Sequence, residues 1–243
     1  MPNGRRWGED ALWPVRGHRI ACAARNAFLD PQTLVPLAGT AILLIDDLDG
    51  RASDWMLDHH PVFGSASSAS HASDELVHAL RFETIATVLA TPSGSQPGPW
   101  LAAKARGAAV EAIAAGVTIE LTAALKPAID RVRPNGKEHS FPSGHSTTAF
   151  SFATLSNRNA RSAPFLRDAY PVVVGANLAV ASLVAIARVE GAHHFPADVL
   201  AGAAVGHFMT AFIHDAFMGI DGGADCAIYL EPHGGAVALT LRF

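Results

Sequence analysis

From Pro171 to Ala187 the chain runs without a charged side chain, and from Pro196 to Ile213 its only ionisable groups are Asp198 and His207. Stretches of this length and polarity belong in one of two places. They are inner helices of a bundle, or helices at the short end of what spans a bilayer. Ala, Gly and Val dominate both, and these residue types are natural in closely packed buried helices. Charged residues make up only 16% of the chain and mean hydropathy is +0.21, so the whole molecule shares this bias.

Two helices are therefore expected, Tyr170 to Val189 and Pro196 to Phe217. An Ala-rich stretch predicts a long helix from about Trp100 to Arg131. Ser73 is placed to cap another from about Glu75 to Thr91, which "TPSGSQPGP" ends. Residues 59–74, "HHPVFGSASSASHASD", read as a loop, with histidines too irregularly spaced to suggest a metal. Leu34 to Ile45 is apolar but too short to span a bilayer comfortably, and "DDLDGRASDW" reads as a turn and a new helix start. Strand-like alternation occurs only in "AIYLEP" and "GGAVALTLRF", a hairpin around His233 to Gly235 packed on the bundle. An outer-membrane barrel needs at least about eight strands. The expected fold class is all-α: a helical bundle over 71–218, an N-terminal extension over 1–70, and a small C-terminal β-hairpin-like tail over 219–243.

A chain of 243 residues fits one domain with extensions. A net charge of −4 gives no reason to expect a nucleic-acid partner. Cys22 and Cys226 lack zinc-like spacing; one disulfide would be allowed but nothing requires it. The arginines near the N-terminus are not promptly followed by an apolar run, so no signal peptide is recognisable.

The chemistry concentrates in three pieces. "SFPSGHSTTAF" sets Pro142, Ser143, Gly144 and His145 at the start of a helix-compatible run. Ser143 is a natural cap. The first N–H groups of a helix also form an anion site, and Gly144 would let a phosphate approach them. His145 would then stand beside the anion. Upstream, in "LKPAIDRVRP", Lys126 and Arg133 lie two helical turns apart and Pro134 stops the element. Downstream, "ARVEGAHHFPAD" puts Arg188 in a last helical turn, Gly191 at the stop and Pro196 at the next start. His194 and Asp198 are four apart and can meet across the first turn.

Together these pieces resemble the signature of the type 2 phosphatidic acid phosphatase (PAP2) superfamily, K-x6-R-P, P-S-G-H and S-R-x5-H-x3-D. Order and internal spacing match, with Ala187 in place of the usual Ser. The resemblance implies a helical bundle of the kind shared with vanadium haloperoxidases. It implies that Lys126, Arg133 and Arg188 hold a phosphate with the amides around Ser143 and Gly144 and the Ser143 hydroxyl. His194 would attack phosphorus, Asp198 would fix its tautomer, and His145 would serve as acid and then base. His193, five from Asp198, breaks the spacing. No metal or cofactor is implied. The substrate would be a phosphorylated small molecule or lipid, and the place of action the cell envelope, membrane-associated or periplasmic. Two other readings share the pocket. A vanadium haloperoxidase would be longer, and nothing here marks a halide site. A non-catalytic phosphate or headgroup binder would not need both histidines and Asp198.

Overall fold

The structure is a computed structural model. It describes residues 6–12 and 17–218, and the backbone of 227–233 and 236–242. Among the described residues there are eight α-helices: α1 (Gly17–Leu29), α2 (Pro31–Leu43), α3 (Leu48–His59), α4 (Ala66–Ala90), α5 (Pro97–Ile129), α6 (Gly144–Ser162), α7 (Tyr170–Glu190) and α8 (Pro196–Phe217). The fold is all-helical here. The backbone of 227–233 pairs antiparallel with that of 236–242. The expected turn residues Gly234 and Gly235, Cys226 and the tail's side chains lie outside the described residues. The expected closure of the hairpin and its packing on the bundle fall outside the described residues with them.

The apolar helices fall where their patterns end. Pro196 opens α8 at its first position and Phe217 closes it. Two expectations change. Helix α4 begins at Ala66, so 66–74 is helix rather than loop. Ser65 caps it by accepting from the Ser68 amide at 3.1 Å. Ala favours helix, and the serines turn their hydroxyls inward, Ser70 Oγ donating to the Ala66 carbonyl at 2.8 Å and Ser73 Oγ to that of Ser70 at 2.7 Å. Polarity alone made this segment look like a loop. Helix α5 ends early, because Asp130 adopts the left-handed conformation (φ 47°) and its amide caps on the Lys126 carbonyl. Arg133 is thus beyond the helix, not two turns along it.

Helix α8 is central, with α6, α2, α1 and α5 packed around it, and α4 and α7 close on the other side of α6. The contact between α6 and α8 is backbone-close. An added Cβ at Gly202 would stand 2.6 Å from the Ser143 carbonyl oxygen, and one at Gly206 would stand 2.5 Å from that of Thr147. This one-turn spacing of glycines brings α8 under the first turns of α6.

The interior is unusually polar and small. Beside many alanines, Thr84 and Ser156 share a hydrogen bond at 3.0 Å, Asn177 donates to Asn157 at 2.9 Å, and Thr210 donates to Ser151 at 2.8 Å. Large apolar side chains point outward instead. Phe82, Ile85 and Leu89 line one exposed face of α4, and Ile113, Val117 and Leu121 one exposed face of α5. Helices α5, α7 and α8 are each long and apolar enough to cross a membrane.

Gly175 and Gly206 are expected to respond to alanine with opposite signs. An added Cβ at Gly175 meets nothing within 4 Å. There Gly→Ala raises stability by up to about 1 kcal/mol through helix propensity. At Gly206 the same change lowers it by about 1–3 kcal/mol through overpacking against α6. Thermal unfolding of the two purified variants measures both; a stabilised Gly206→Ala refutes the packing.

Candidate active site

The site forms where α6 begins. The Ser143 amide donates to the Asp198 carbonyl at 2.9 Å, which fastens this start to the first turn of α8. Ser143 is fully buried, and its Oγ accepts from the Ser146 amide at 3.4 Å. The hydroxyl is thus used as a helix cap. The amides of Gly144 and His145 belong to the first turn, where helix geometry supplies no acceptor. A Cβ placed on Gly144 would find Lys126 Cε as its nearest neighbour, at 3.9 Å. The glycine keeps open the space between the helix end and that lysine.

Lys126 reaches this space from the last turn of α5. Its Nζ donates to the carbonyls of His139, at 3.0 Å, and Pro142, at 2.9 Å. Arg133 folds back from the 131–140 loop. Its Nε donates to the Glu138 carbonyl at 3.1 Å, and one Nη lies 3.5 Å from the His139 carbonyl that Lys126 also uses. Lys126 and Arg133 therefore converge through a shared carbonyl, not through a shared helix face. Arg188, at the end of α7, is buried; one Nη donates to Ser73 Oγ on α4 at 3.0 Å, and its Nε is buried without a hydrogen-bond partner.

His194 is held by a turn. Ala192 adopts φ 57°, which lets the amides of His193 and His194 both donate to the Arg188 carbonyl, at 3.1 and 3.2 Å. Gly191 has φ −79°, so its smallness is required by space. A Cβ there would sit 2.9 Å from both Ser70 Oγ and the His193 ring. The His193 Nε2 pairs with Ser70 Oγ at 2.8 Å, directing that ring to α4. His194 is 2% exposed, and its Nδ1 faces Ser140 Oγ at 3.5 Å and Asp198 Oδ2 at 3.8 Å. The distance to Asp198 is too long for a direct hydrogen bond. Ser140 stands between the two and donates to Asp198 Oδ2 at 2.5 Å. Burial pushes the His194 imidazole down to about 4; the charges of Lys126 and Arg188 add to this, while Asp198 opposes it. The ring is neutral near pH 7 and can offer a lone pair.

His145 occupies the first turn of α6. Its Nε2 lies 2.8 Å from Asp74 Oδ1 of α4. Burial lowers its pKa, as do Arg188 and Arg133, while Asp74 raises it. A cleft of about 310 Å³ opens here, lined by Asp74, Val77, His78, Arg81, Gly144, His145 and Thr148. Ser73, Asp74 and Ser140 carry no motif that identifies them; they join the site only once α4 and the 131–140 loop are folded against it. Among the described residues, no group of three His, Cys, Asp or Glu side chains gathers as metal ligands would.

Known proteins share similarity with much of this chain. The family model described as the PAP2 superfamily matches residues 79–219. Lipid A 1-phosphatase of Porphyromonas gingivalis is 42% identical over 82 residues, which is 33% of this chain and 17% of that protein. The chain thus spans about a sixth of the length of this curated relative. The crystal structure of a transmembrane PAP2 type phosphatidylglycerolphosphate phosphatase from Bacillus subtilis has a similar fold. Its TM-score is 0.56 at 20% identity, covering 78% of this chain and 93% of that one.

Asp74→Asn is expected to lower the pKa of His145 further, because the neutral amide no longer favours the imidazolium while burial and the two arginines still oppose it. Titration of the His145 ring by heteronuclear NMR measures this. A value that stays the same or rises contradicts the contact.

Proposed function

Since the chain belongs to the PAP2 superfamily, with the family match spanning more than half its length, we propose that it is a metal-independent phosphatase. It hydrolyses a phosphomonoester or diphosphate, a lipid phosphate in our reading, through a phosphohistidine. One observation carries the proposal: three cations from separate elements and two imidazoles converge on the start of α6, each imidazole with a carboxylate nearby. Mere binding has no use for the histidine–carboxylate partnerships.

In the first step the phosphoryl group lies against the α6 amides among Lys126, Arg133 and Arg188. Arginine forks match its oxygens, and the fixed cations stabilise charge in the pentavalent transition state. The Nδ1 of His194 faces Ser140 and Asp198, which keeps its proton there and leaves the Nε2 pair free. Nε2 attacks phosphorus, a P–N bond forms, and the P–O bond to the leaving group breaks. His145 gives its proton to the departing oxygen. The bound phosphate's negative charge and Asp74 both favour the protonated form that this requires. In the second step His145 takes a proton from water, the water oxygen attacks phosphorus, and the P–N bond breaks. Inorganic phosphate leaves and His194 is restored.

The lipid reading rests on the outward apolar faces of α4 and α5, the three helices of spanning length and the polar interior. Small residues at helix contacts and buried hydroxyl and amide pairs are how helices associate in lipid. The two relatives are named for lipid phosphates. We place the protein at a membrane of the cell envelope, with the phosphatase unit in 71–218.

Dialysis against EDTA is expected to leave phosphate release intact, because the fixed cations already neutralise the substrate. Loss of activity restored by magnesium contradicts this. Arg188→Lys is expected to reduce kcat/KM at least about a hundredfold, about 2.7 kcal/mol, since an ammonium cannot copy the fork. Near-normal kinetics would show that the pocket is wrongly assigned. With p-nitrophenyl phosphate, His145→Ala should accumulate phosphate on His194, because a good leaving group needs little acid while hydrolysis still needs the base. Alkaline quenching and fragmentation mass spectrometry locate the label; phosphate on His193 or Ser143 rejects the mechanism.

A further inference from the structure

Phe195 stands at the N-cap of α8, where a side-chain acceptor is normally found, and it has none. Two carboxylates do this work instead. Asp198 reaches back to accept from the Phe195 amide at 2.9 Å, the acidic half of a capping box. Asp49, on α3, accepts from the Ala197 amide at 2.7 Å. The second oxygen of Asp49 accepts from Arg131 Nη2 at 2.7 Å, and Nη1 of the same guanidinium donates to Asp198 Oδ1, also at 2.7 Å. The Arg131 guanidinium lies over the Phe195 ring, 4.1 Å from its centroid. Both carboxylates are almost wholly buried. Arg131 therefore bridges an acid from α3 to the acid that faces His194, and every oxygen of the two carboxylates has a partner.

We infer that Asp49 is a positioning residue of the phosphatase site, acting through Arg131 on the Asp198 carboxylate and on the first turn of α8. This rests on the function proposed above. Neither residue touches the phosphate cradle. Their effect is geometric and electrostatic. The bridge fixes which oxygen of Asp198 remains for Ser140 and the His194 side, and Asp49 neutralises a cation that would otherwise oppose that carboxylate. The turn that follows α3 is held as well, since the buried Glu190 carboxylate accepts from the amides of Val62 and Phe63 at 2.8 and 2.9 Å. Glu190 is two residues from Arg188. Helix α3 and the turn after it thus contact the start of α8 and the end of α7.

The test uses the full chain in detergent micelles, with p-nitrophenyl phosphate as probe. Asp49→Asn keeps an acceptor for the Ala197 amide and removes the charge; Arg131→Met removes the bridge. Each is expected to lower kcat at least about tenfold with KM within about twofold, the pattern of a displaced but unblocked site. Titration of His194 by NMR supplies a readout that a merely structural role does not move. Its ring is faced by Ser140 from the loop and Asp198 from α8, with the charges of Lys126 from α5 and Arg188 from α7 acting on it and His193 beside it. Only the bridge changes. Asp49→Asn leaves Arg131 unneutralised and lowers the His194 pKa; Arg131→Met removes a cation and raises it. Shifts of opposite sign with reduced kcat support the inference. A folded Asp49→Asn with normal kcat, or shifts that are absent or of one sign, overturns it. Should Asp49→Asn fail to fold, an unshifted His194 in Arg131→Met overturns it instead. His194→Ala and Asp198→Asn separate the two readings. If they retain turnover, the proposed function falls and the inference with it. If they are inactive while both bridge variants behave as wild type, only the bridge falls.

Discussion

A single backbone hydrogen bond, Ser143 N–H to the Asp198 carbonyl, ties the two halves of the site together. It joins two helix starts whose residues are far apart in the chain. It can form only because Gly202 and Gly206 let α8 approach the backbone of α6. From that junction the first turn of α6 offers its amides and His145, and the first turn of α8 offers Asp198 beneath His194. Lys126 then reads the same junction from a third direction, through the carbonyl of Pro142.

The electrostatics follow from this crowding. Several cations near one helix start repel each other and need compensation while no substrate is bound. The protein answers with backbone carbonyls for Lys126 and Arg133, a hydroxyl for Arg188, and buried carboxylates around Arg131. The carbonyls and the hydroxyl carry no formal charge. Among the described residues no carboxylate forms an ion pair with Lys126, Arg133 or Arg188, and in the function we propose a phosphate supplies that charge. His194 and His193 are both pushed down to about 4, so neither adds to the repulsion. Ser70 occupies the outer nitrogen of His193, which distinguishes two adjacent rings with the same bulk pKa.

Much of this was legible in the sequence where the information is local. The bounds of α8 follow from Pro196 and the end of its apolar run. The placement of Lys126, His145, His194 and Asp198 near helix ends follows from motif spacing and caps. What was not legible is non-local. Nothing around Asp49 announces that it caps a helix 148 residues away. Arg131 stands inside "KPAIDRVRP", but only the folded loop shows which acids it meets. Ser140 is one hydroxyl among many until it falls between His194 and Asp198. The start of α4 was hidden because serine-rich composition suggests solvent, whereas Ser70 and Ser73 satisfy their hydroxyls on the preceding turn. Residue spacing from Lys126 puts Arg133 on the same helix face, but a left-handed Asp130 ends the helix first.

The polar, small-residue interior also sets how stability responds to temperature. Exposing apolar surface on unfolding raises the heat capacity and exposing polar surface lowers it. A core of Ala, Ser, Thr and Asn releases less of the first and more of the second than a core of Leu and Phe. The heat-capacity increment per residue is correspondingly small, so the free-energy curve is shallow and its maximum broad. Helix–helix contacts of this composition are expected to weaken less on cooling than those of a core of Leu and Phe, the junction between α6 and α8 included.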